Sequence, residues 1–410
     1  MTGSERARLR ELAQKQMEAY FSDKNQQRIA EWKLHNACKG SRPMVHVETD
    51  TFEQEMIDPL LCCSDPVARR LERDLYRNFF NLCEFDDDWV VPNYFGIEWE
   101  TWFHPFGHKV TRHSATDLNG KTVGHQFDYV LSDLEEDWDK LGATDFGVDA
   151  VATQGYFDVA QETFGDLLPV KMVMNSLYAV PTQHVVHLMG MENMCYAMYD
   201  TPELFQKMMD RLADDYLAWF EYLAKGGYLR PTAGFELLSQ GSRCFTEELP
   251  ADEVSSSRQM WGFMDSQETV SISPEMFHSF IFPCYQRISR AFGCLSYGCC
   301  EPVSAVWKDI RTMENLRKVS ISPWCDEEFM GEQLRGSRII YHRKPSPNYL
   351  GVGHTLDEEA LREHIRRTLH VARGCTLEFT QRDVYTVDQN PDKVRRYVQI
   401  FREEIERHWR

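Results

Sequence analysis

Between Cys294 and Trp409 the chain switches hydrophobic period again and again, and this alternation constrains the fold more than any other feature. CLSYG (294–298) is a short apolar strand and SAVWKDIRTM (304–313) an amphipathic helix. RKVSIS (317–322) is a strand followed by the helix DEEFMGEQL (326–334). RIIYH (338–342) and DEEALREHIRRTLHVA (357–372) repeat the unit, as do CTLEFT (375–380) and PDKVRRYVQIFREEIERHW (391–409). Period-2 runs read as strands and three- and four-residue steps as helices. Four such units with short connections predict parallel strands, because parallel neighbours need a crossover and crossovers are usually helical.

Upstream, LLPVKMVMN (167–175) and AGFELLS (233–239) predict two more strands, with helices at 184–199 and 203–225. The count approaches a (β/α)8 TIM barrel over 151–410. A doubly wound open sheet is the competitor, but the Gly-rich phosphate turn after an early strand is missing. Residues 1–150 predict a helical and β-rich extension covering the barrel. ARLRELAQKQMEAYF and DPVARRLERDLYRNFFNL are helical, the second opened by Ser64 and Asp65-Pro66. VVPNYFGIEWETWF and HQFDYVL are strand-like, with Asp117 and Asn119-Gly120 as turn residues.

Sixty-four acids against forty-five bases give a net charge of −19 over 410 residues. Such a chain is repelled by duplexes and anionic membranes, so neither is an expected partner. No run reaches the ~18–20 apolar residues of a membrane span. The opening MTGSERARLRELAQKQ lacks the apolar core of a secretory signal. A cytoplasmic location is expected, with the twelve cysteines reduced.

In a barrel the chemistry lies where strands end at the C-terminal face. That rule selects Glu236 with Ser239, Tyr297 through Glu301, Ser322 to Trp324, His342 to Lys344, and Glu378 through Asp383. Tyr297-Gly-Cys-Cys-Glu301-Pro is the strongest local signal. Two thiols and a carboxylate at a rim can take Zn²⁺ as thiolates. Adjacent side chains point apart, so the alternative is one buried and one partly exposed thiol. Glu268 is either a further ligand or a charge ahead of the helix signalled by Ser273-Pro274. Glu236 and Glu378, flanked by apolar residues, either point into the barrel as functional groups or form structural ion pairs with Arg382 or Lys344. His184 and His187, three apart in HVVHLMGM, read as packed core histidines rather than a metal pair. His104, His108, His113 and His125 lie in the strand-rich insert. No GxSxG, P-loop or HExxH motif occurs.

SISPEMFHSFIFPCYQRI (271–288), YGCCEPV (297–303), NLRKVSISPWCD (315–326), RKPSPN (343–348) and EFTQRDVYTV (378–387), in that order, resemble the uroporphyrinogen decarboxylase superfamily and, within it, the corrinoid-dependent methyltransferase branch. The resemblance runs from about Leu167 to the C-terminus, and RPMVHVET (42–49) matches longer members. It implies a TIM barrel that takes a methyl group from a small methylated substrate, an O-methyl aromatic ether being favoured, and passes it to cob(I)alamin on a separate corrinoid protein. It also implies zinc, with Cys299, Cys300 and Glu268 as ligands. Tyr297, Glu301 and Glu378 then stand as catalytic candidates, and Glu236, Trp324, Lys344 and Asp383 as substrate contacts, with Tyr297, Trp324 and Tyr341 lining an aromatic pocket. A homodimer is compatible with this reading. Three departures qualify it. RPMVHVETD has one arginine where the decarboxylases carry an arginine-rich signature, Tyr297 stands where the branch has the histidine of His-x-Cys, and Arg382-Asp383 follow the last strand without a cysteine. Transfer from methylcobalamin to a thiol, a non-catalytic corrinoid-protein partner, and a decarboxylase remain the alternatives.

Overall fold

Seven short strands form one all-parallel sheet in the computed structural model, which describes residues 1–116 and 122–409. In chain order they are β1 (Met44–Val47), β2 (Leu177–Ala179), β3 (Trp261–Met264), β4 (Cys294–Tyr297), β5 (Leu316–Ile321), β6 (Ile340–Arg343) and β7 (Leu377–Gln381). The spatial order is β1-β7-β6-β5-β4-β3-β2. The four strand–helix units expected at the C-terminal end are present. The first helix, expected over 304–313, is instead a 3-10 turn (Val303–Val306) and a short helix (Trp307–Ile310) without a side-chain cap. The other three are capped. Asp326, Asp357 and Asn390 each accept backbone N–H groups of the turn they open.

In-register neighbours in a parallel sheet share a face. One face carries Ala179, Met264, Tyr297, Val319, Tyr341 and Phe379 and packs on helices. Phe379 meets Phe401 edge-on at 5.0 Å and Tyr297 meets Tyr285 at 6.2 Å. The other face is unusually polar. Lys318, Ser320, His342, Glu378, Thr380 and His46 project from it, and all are buried. A sheet covered on both sides ordinarily reads as a continuous apolar run. Here the polar face is covered by the end of the helix Asp23–Asn36 and by a hairpin at 237–243, which supply hydrogen-bond partners.

Two strand expectations are corrected. Residues 167–175 yield a strand only over Val170–Val173, which pairs with Phe95–Glu98 in a separate two-stranded sheet, while the main-sheet strand is β2 just beyond it. The strand expected over 233–239 is the hairpin Leu237–Leu238 with Ser242–Arg243. Gln240 and Gly241 both take positive φ there (74° and 79°), which reverses the chain. A Cβ on Gly241 would lie 2.6 Å from Thr380 Cγ2, so only glycine lets the turn press on β7. As a result β1 and β2 remain edges, and no closed sheet occurs among the described residues. Residues 1–150 also enter this sheet. They contribute β1 to the main sheet, and Leu9, Leu71, Val45, Phe379 and Tyr397 share one core.

The turn expected at Asp117 and Asn119-Gly120 and the side chain of His125 lie outside the described residues. Among the described residues no helix is long and apolar enough to cross a membrane.

Candidate functional site

The rim beyond β3 and β4 is built around carboxylates. Glu301 is buried and acts as a staple. Its Oε1 accepts the Ser266 N–H at 2.9 Å and its Oε2 the Cys299 N–H at 2.8 Å, tying the two strand ends together. The hydroxyls of Ser320 and Ser322 then bind the carbonyls of Cys299 (2.9 Å) and Glu301 (3.2 Å), fixing that loop to β5. Glu268 Oε2 accepts from Thr182 Oγ1 at 2.8 Å, and burial raises its pKa.

Asp265, the first residue after β3, has no such partner. It is 1% exposed, and neither carboxylate oxygen has a hydrogen-bond partner. Burial, then the charges of Glu301, Cys299 and Glu268, push its pKa well above the ordinary value, with Lys344 opposing. A buried carboxylate without donors is held as the neutral acid.

Lys344 Nζ donates to Gln240 Oε1 at 2.6 Å and lies 3.4 Å from the Cys299 carbonyl. Burial lowers its pKa. Arg382 also donates to Gln240 and sits 3.3 Å from Glu48 and 3.2 Å from Asp383. Gln240 therefore gathers two cations at the rim from a left-handed backbone position. The Cys299 and Cys300 sulfurs are 3.5 Å apart. Their mutual hydrogen bond raises the Cys299 pKa and lowers that of Cys300, as expected if Cys299 keeps the proton and points it at its neighbour.

A cavity of about 260 Å³ opens beside this rim, lined by His46, Trp89, Asn175, Tyr178, Ser239 and Gln240 among others. Tyr178 stacks on Phe263 at 5.3 Å, two residues before Asp265. The cavity shares Asp50, Trp89, Asn175 and Leu237 with a groove of about 650 Å³.

The sequence candidates fall into three places. Glu301, Cys299, Cys300, Glu268, Lys344 and Asp383 gather at this rim. Glu236 lies along the groove, accepting from Tyr94 Oη at 2.8 Å and Gly234 N at 2.9 Å. Tyr297 reaches the rim from the packed side, and Glu378 and Trp324 stand apart. Tyr297 is fully buried on the helix-packed face, its hydroxyl 2.6 Å from Ser266 Oγ. Glu378 sits deeper in the sheet, within an ion-pair network with Lys318 (2.9 Å) and His35 (3.0 Å). Trp324 is 75% exposed. Tyr341 is buried on the helix-packed face, so the aromatic walls of the cavity are Trp89 and Tyr178 instead.

Among the described residues, no group of three or more His, Cys, Asp or Glu side chains is placed to hold a metal ion. Cys299, Cys300 and Glu268 do not converge as a zinc set, since Glu268 is turned to Thr182. His184 is packed between Phe103 and Tyr216, and burial lowers its pKa to about 3. His104, His108 and His113 bond locally within the insert, to Asp145, Lys140 and Asp128.

Asp265, Gln240 and Tyr178 are site residues that sequence reasoning missed. Asp265 carried a usable signal, because it directly follows the apolar run WGFM at the same rim where Glu268 was noticed.

No family model matches the chain, and no curated protein matches it. Among solved structures it is similar to a methyltransferase from Methanosarcina mazei, at 11% identity and a TM-score of 0.49, over 92% of this chain and 98% of that one. Likeness at that level fixes neither family nor activity.

Proposed function

We propose that the chain is a methyltransferase that demethylates a small O-methyl aromatic ether and delivers the methyl group to a corrinoid on a separate protein. The reading starts from the sequence resemblance, and the observation that carries it is Asp265. We read the seven strands as an opened (β/α)8 barrel, with Asp265 at its C-terminal rim, where such folds keep their chemistry.

An ether methyl is hard to remove because the departing oxygen leaves as an anion. The corrinoid, when its carrier docks, supplies the nucleophile for the methyl carbon. The chain's own task is the oxygen. As the carbon–oxygen bond breaks, its electron pair stays on oxygen, and the proton of Asp265 completes the phenol. A carboxyl held protonated by burial is suited to that role. The resulting carboxylate is favoured by Lys344, whose charge already acts on Asp265. Trp89 and Tyr178 supply the flat walls of the cavity. No step is routed through zinc, because the candidate donors do not converge.

The test is methyl transfer to cob(I)alamin with Asp265→Asn. Loss of the proton donor lowers the rate by ~10²–10⁴-fold with a methoxyaromatic. Nitroanisole, whose leaving anion needs no proton, loses far less. Equal losses on both donors, or transfer only from amines or methanol, overturn the proposal. Metal analysis of protein purified without chelators supplies a separate check. A zinc ion lost in Cys299→Ala would replace the proton by a Lewis acid.

A further inference from the structure

Two thiols at the rim take no part in the proton transfer from Asp265. Cys299 is 7% exposed, Cys300 is half-buried, and their sulfurs lie 3.5 Å apart. Adjacent side chains point apart in an extended chain, so the contact belongs to the turn. Gly298, immediately ahead, takes a positive φ of 99°, and Glu301 Oε2 accepts the Cys299 N–H at 2.8 Å. The chain's other adjacent pair, Cys62-Cys63, is held differently. Both of its N–H groups donate to Glu72 Oε2, and the Cys62 thiol is turned to the Leu60 carbonyl at 3.5 Å. No contact between those two sulfurs occurs among the described residues.

The peptide that joins the rim cysteines carries the Cys299 carbonyl. That oxygen accepts from Ser320 Oγ at 2.9 Å and lies 3.4 Å from Lys344 Nζ. A change in this peptide therefore reaches Lys344, one of the two cations gathered by Gln240.

We infer that Cys299 and Cys300 form a reversible oxidation site, closed into a disulfide by a small hydroperoxide, and that closure alters the rim through the Cys299 carbonyl. With hydrogen peroxide, the more accessible Cys300 sulfur attacks one oxygen, the O–O bond breaks, and a sulfenic acid and water result. The Cys299 sulfur then attacks that of Cys300. The S–S bond forms, the S–O bond breaks, and the departing hydroxyl leaves as water with the Cys299 proton. Two thiols are oxidised and both peroxide oxygens end in water. Consecutive Cα atoms are about 3.8 Å apart across a trans peptide, short of the ~4.4–6.8 Å that disulfides usually span. The ring closes under strain, which makes it easily reduced and displaces the peptide within it. The inference does not depend on the methyltransferase reading.

The test treats the full chain, freed of reductant, with hydrogen peroxide, followed by alkylation, digestion and mass spectrometry. The peptide holding Cys299 and Cys300 should lose two hydrogens and take up no alkyl label, and dithiothreitol should restore both labels. The Cys62-Cys63 peptide should show no such loss. Cys299→Ser leaves the Cys300 sulfenic acid without its resolving thiol, so it should persist and react with dimedone, whereas Cys300→Ser abolishes the disulfide. A wild-type rim peptide that keeps both labels, or that gains oxygen instead, overturns the inference. Equal loss of hydrogen from both pairs overturns it too, since adjacency alone would then suffice. Neither outcome needs a variant to fold. Thermal melting reads the link to the rim. The oxidised chain should melt below the reduced one and recover on reduction, because Lys344 loses an acceptor. Identical melting curves overturn that link.

Discussion

Glu378 and Asp265 are both 1% exposed and both associated with strands of the same sheet, yet their surroundings treat them in opposite ways. Glu378 projects from the middle of β7. Its Oε2 meets Lys318 at 2.9 Å and His35 at 3.0 Å, and His342 Nδ1 lies 3.4 Å from its Oε1. Although burial alone would raise its pKa, Lys318 and the histidines together hold it well below the ordinary value. Asp265 carries the same burial with no donor and is displaced the other way. Burial is therefore not what sets the direction of the shift in these two acids. Their surroundings do: a buried ammonium faces Glu378, and no hydrogen-bond donor faces Asp265.

The largest effect should come from breaking the partnered site. Glu378→Ala leaves the Lys318 ammonium buried with only Asn36 and Ser242 as acceptors, at 2.8 and 2.5 Å. Urea denaturation should show a loss of ~3–5 kcal/mol. Replacing both charges, as Lys318→Met with Glu378→Leu, should restore most of it, because an apolar pair carries no desolvation penalty. A loss under about 1 kcal/mol for Glu378→Ala would mean that water reaches the network, and the contrast with Asp265 would collapse.

How much of this was readable beforehand follows from what the two acids depend on. The regular units from β4 to β7 were legible because their periods switch cleanly. A structural ion pair at Glu378 was one of two readings available from its apolar flanks. Its partner was not, since Lys318 lies 60 residues away and reaches across β6. Spacing along the chain says nothing about which strands become second neighbours. β1, β2 and β3 were missed because MVHV, LYA and WGFM are too short to show a period. The hairpin was missed because its turn depends on a non-glycine residue, Gln240, in the left-handed region. The Cys-Cys-Glu rim was visible in sequence as a motif. The role of its glutamate was not, because Glu301 spends both oxygens on backbone N–H groups that only the folded rim brings together.

A smaller effect tests how the rim around Asp265 is maintained. Gln240→Ala removes the acceptor shared by Lys344 and Arg382 and keeps the unfavourable backbone position. Leaving the buried Lys344 amine short of an acceptor should cost ~1–3 kcal/mol. Gln240→Gly loses the same bonds but relieves the left-handed strain, recovering ~1 kcal/mol. If both variants melt together, the positive φ stores no strain and Gln240 acts through its side chain alone.

The gentlest perturbation is pH, and it separates the two acids by sign. Asp265 has a folded pKa well above its ordinary 3.8. Above 3.8 the unfolded chain gives up this proton while the folded chain keeps it, so rising pH removes stability until the folded value is passed. The slope is at most about 1.4 kcal/mol per pH unit. Glu378 has a folded pKa well below its ordinary 4.5, so its contribution is complete above 4.5 and is lost as pH falls from there towards the folded value. Asparagine cannot titrate, so Asp265→Asn should gain on the wild type as pH rises from about 4, the gap levelling off once the folded carboxyl ionises. Glu378→Gln should do the reverse, its deficit shrinking as pH falls below about 4.5. Denaturation midpoints across this range measure both curves in the same buffers. An Asp265→Asn curve parallel to the wild type would show that Asp265 ionises in the folded protein as it does in the unfolded chain. It would then hold no proton to give a leaving oxygen, and the two acids would differ in their partners but not in what they can do.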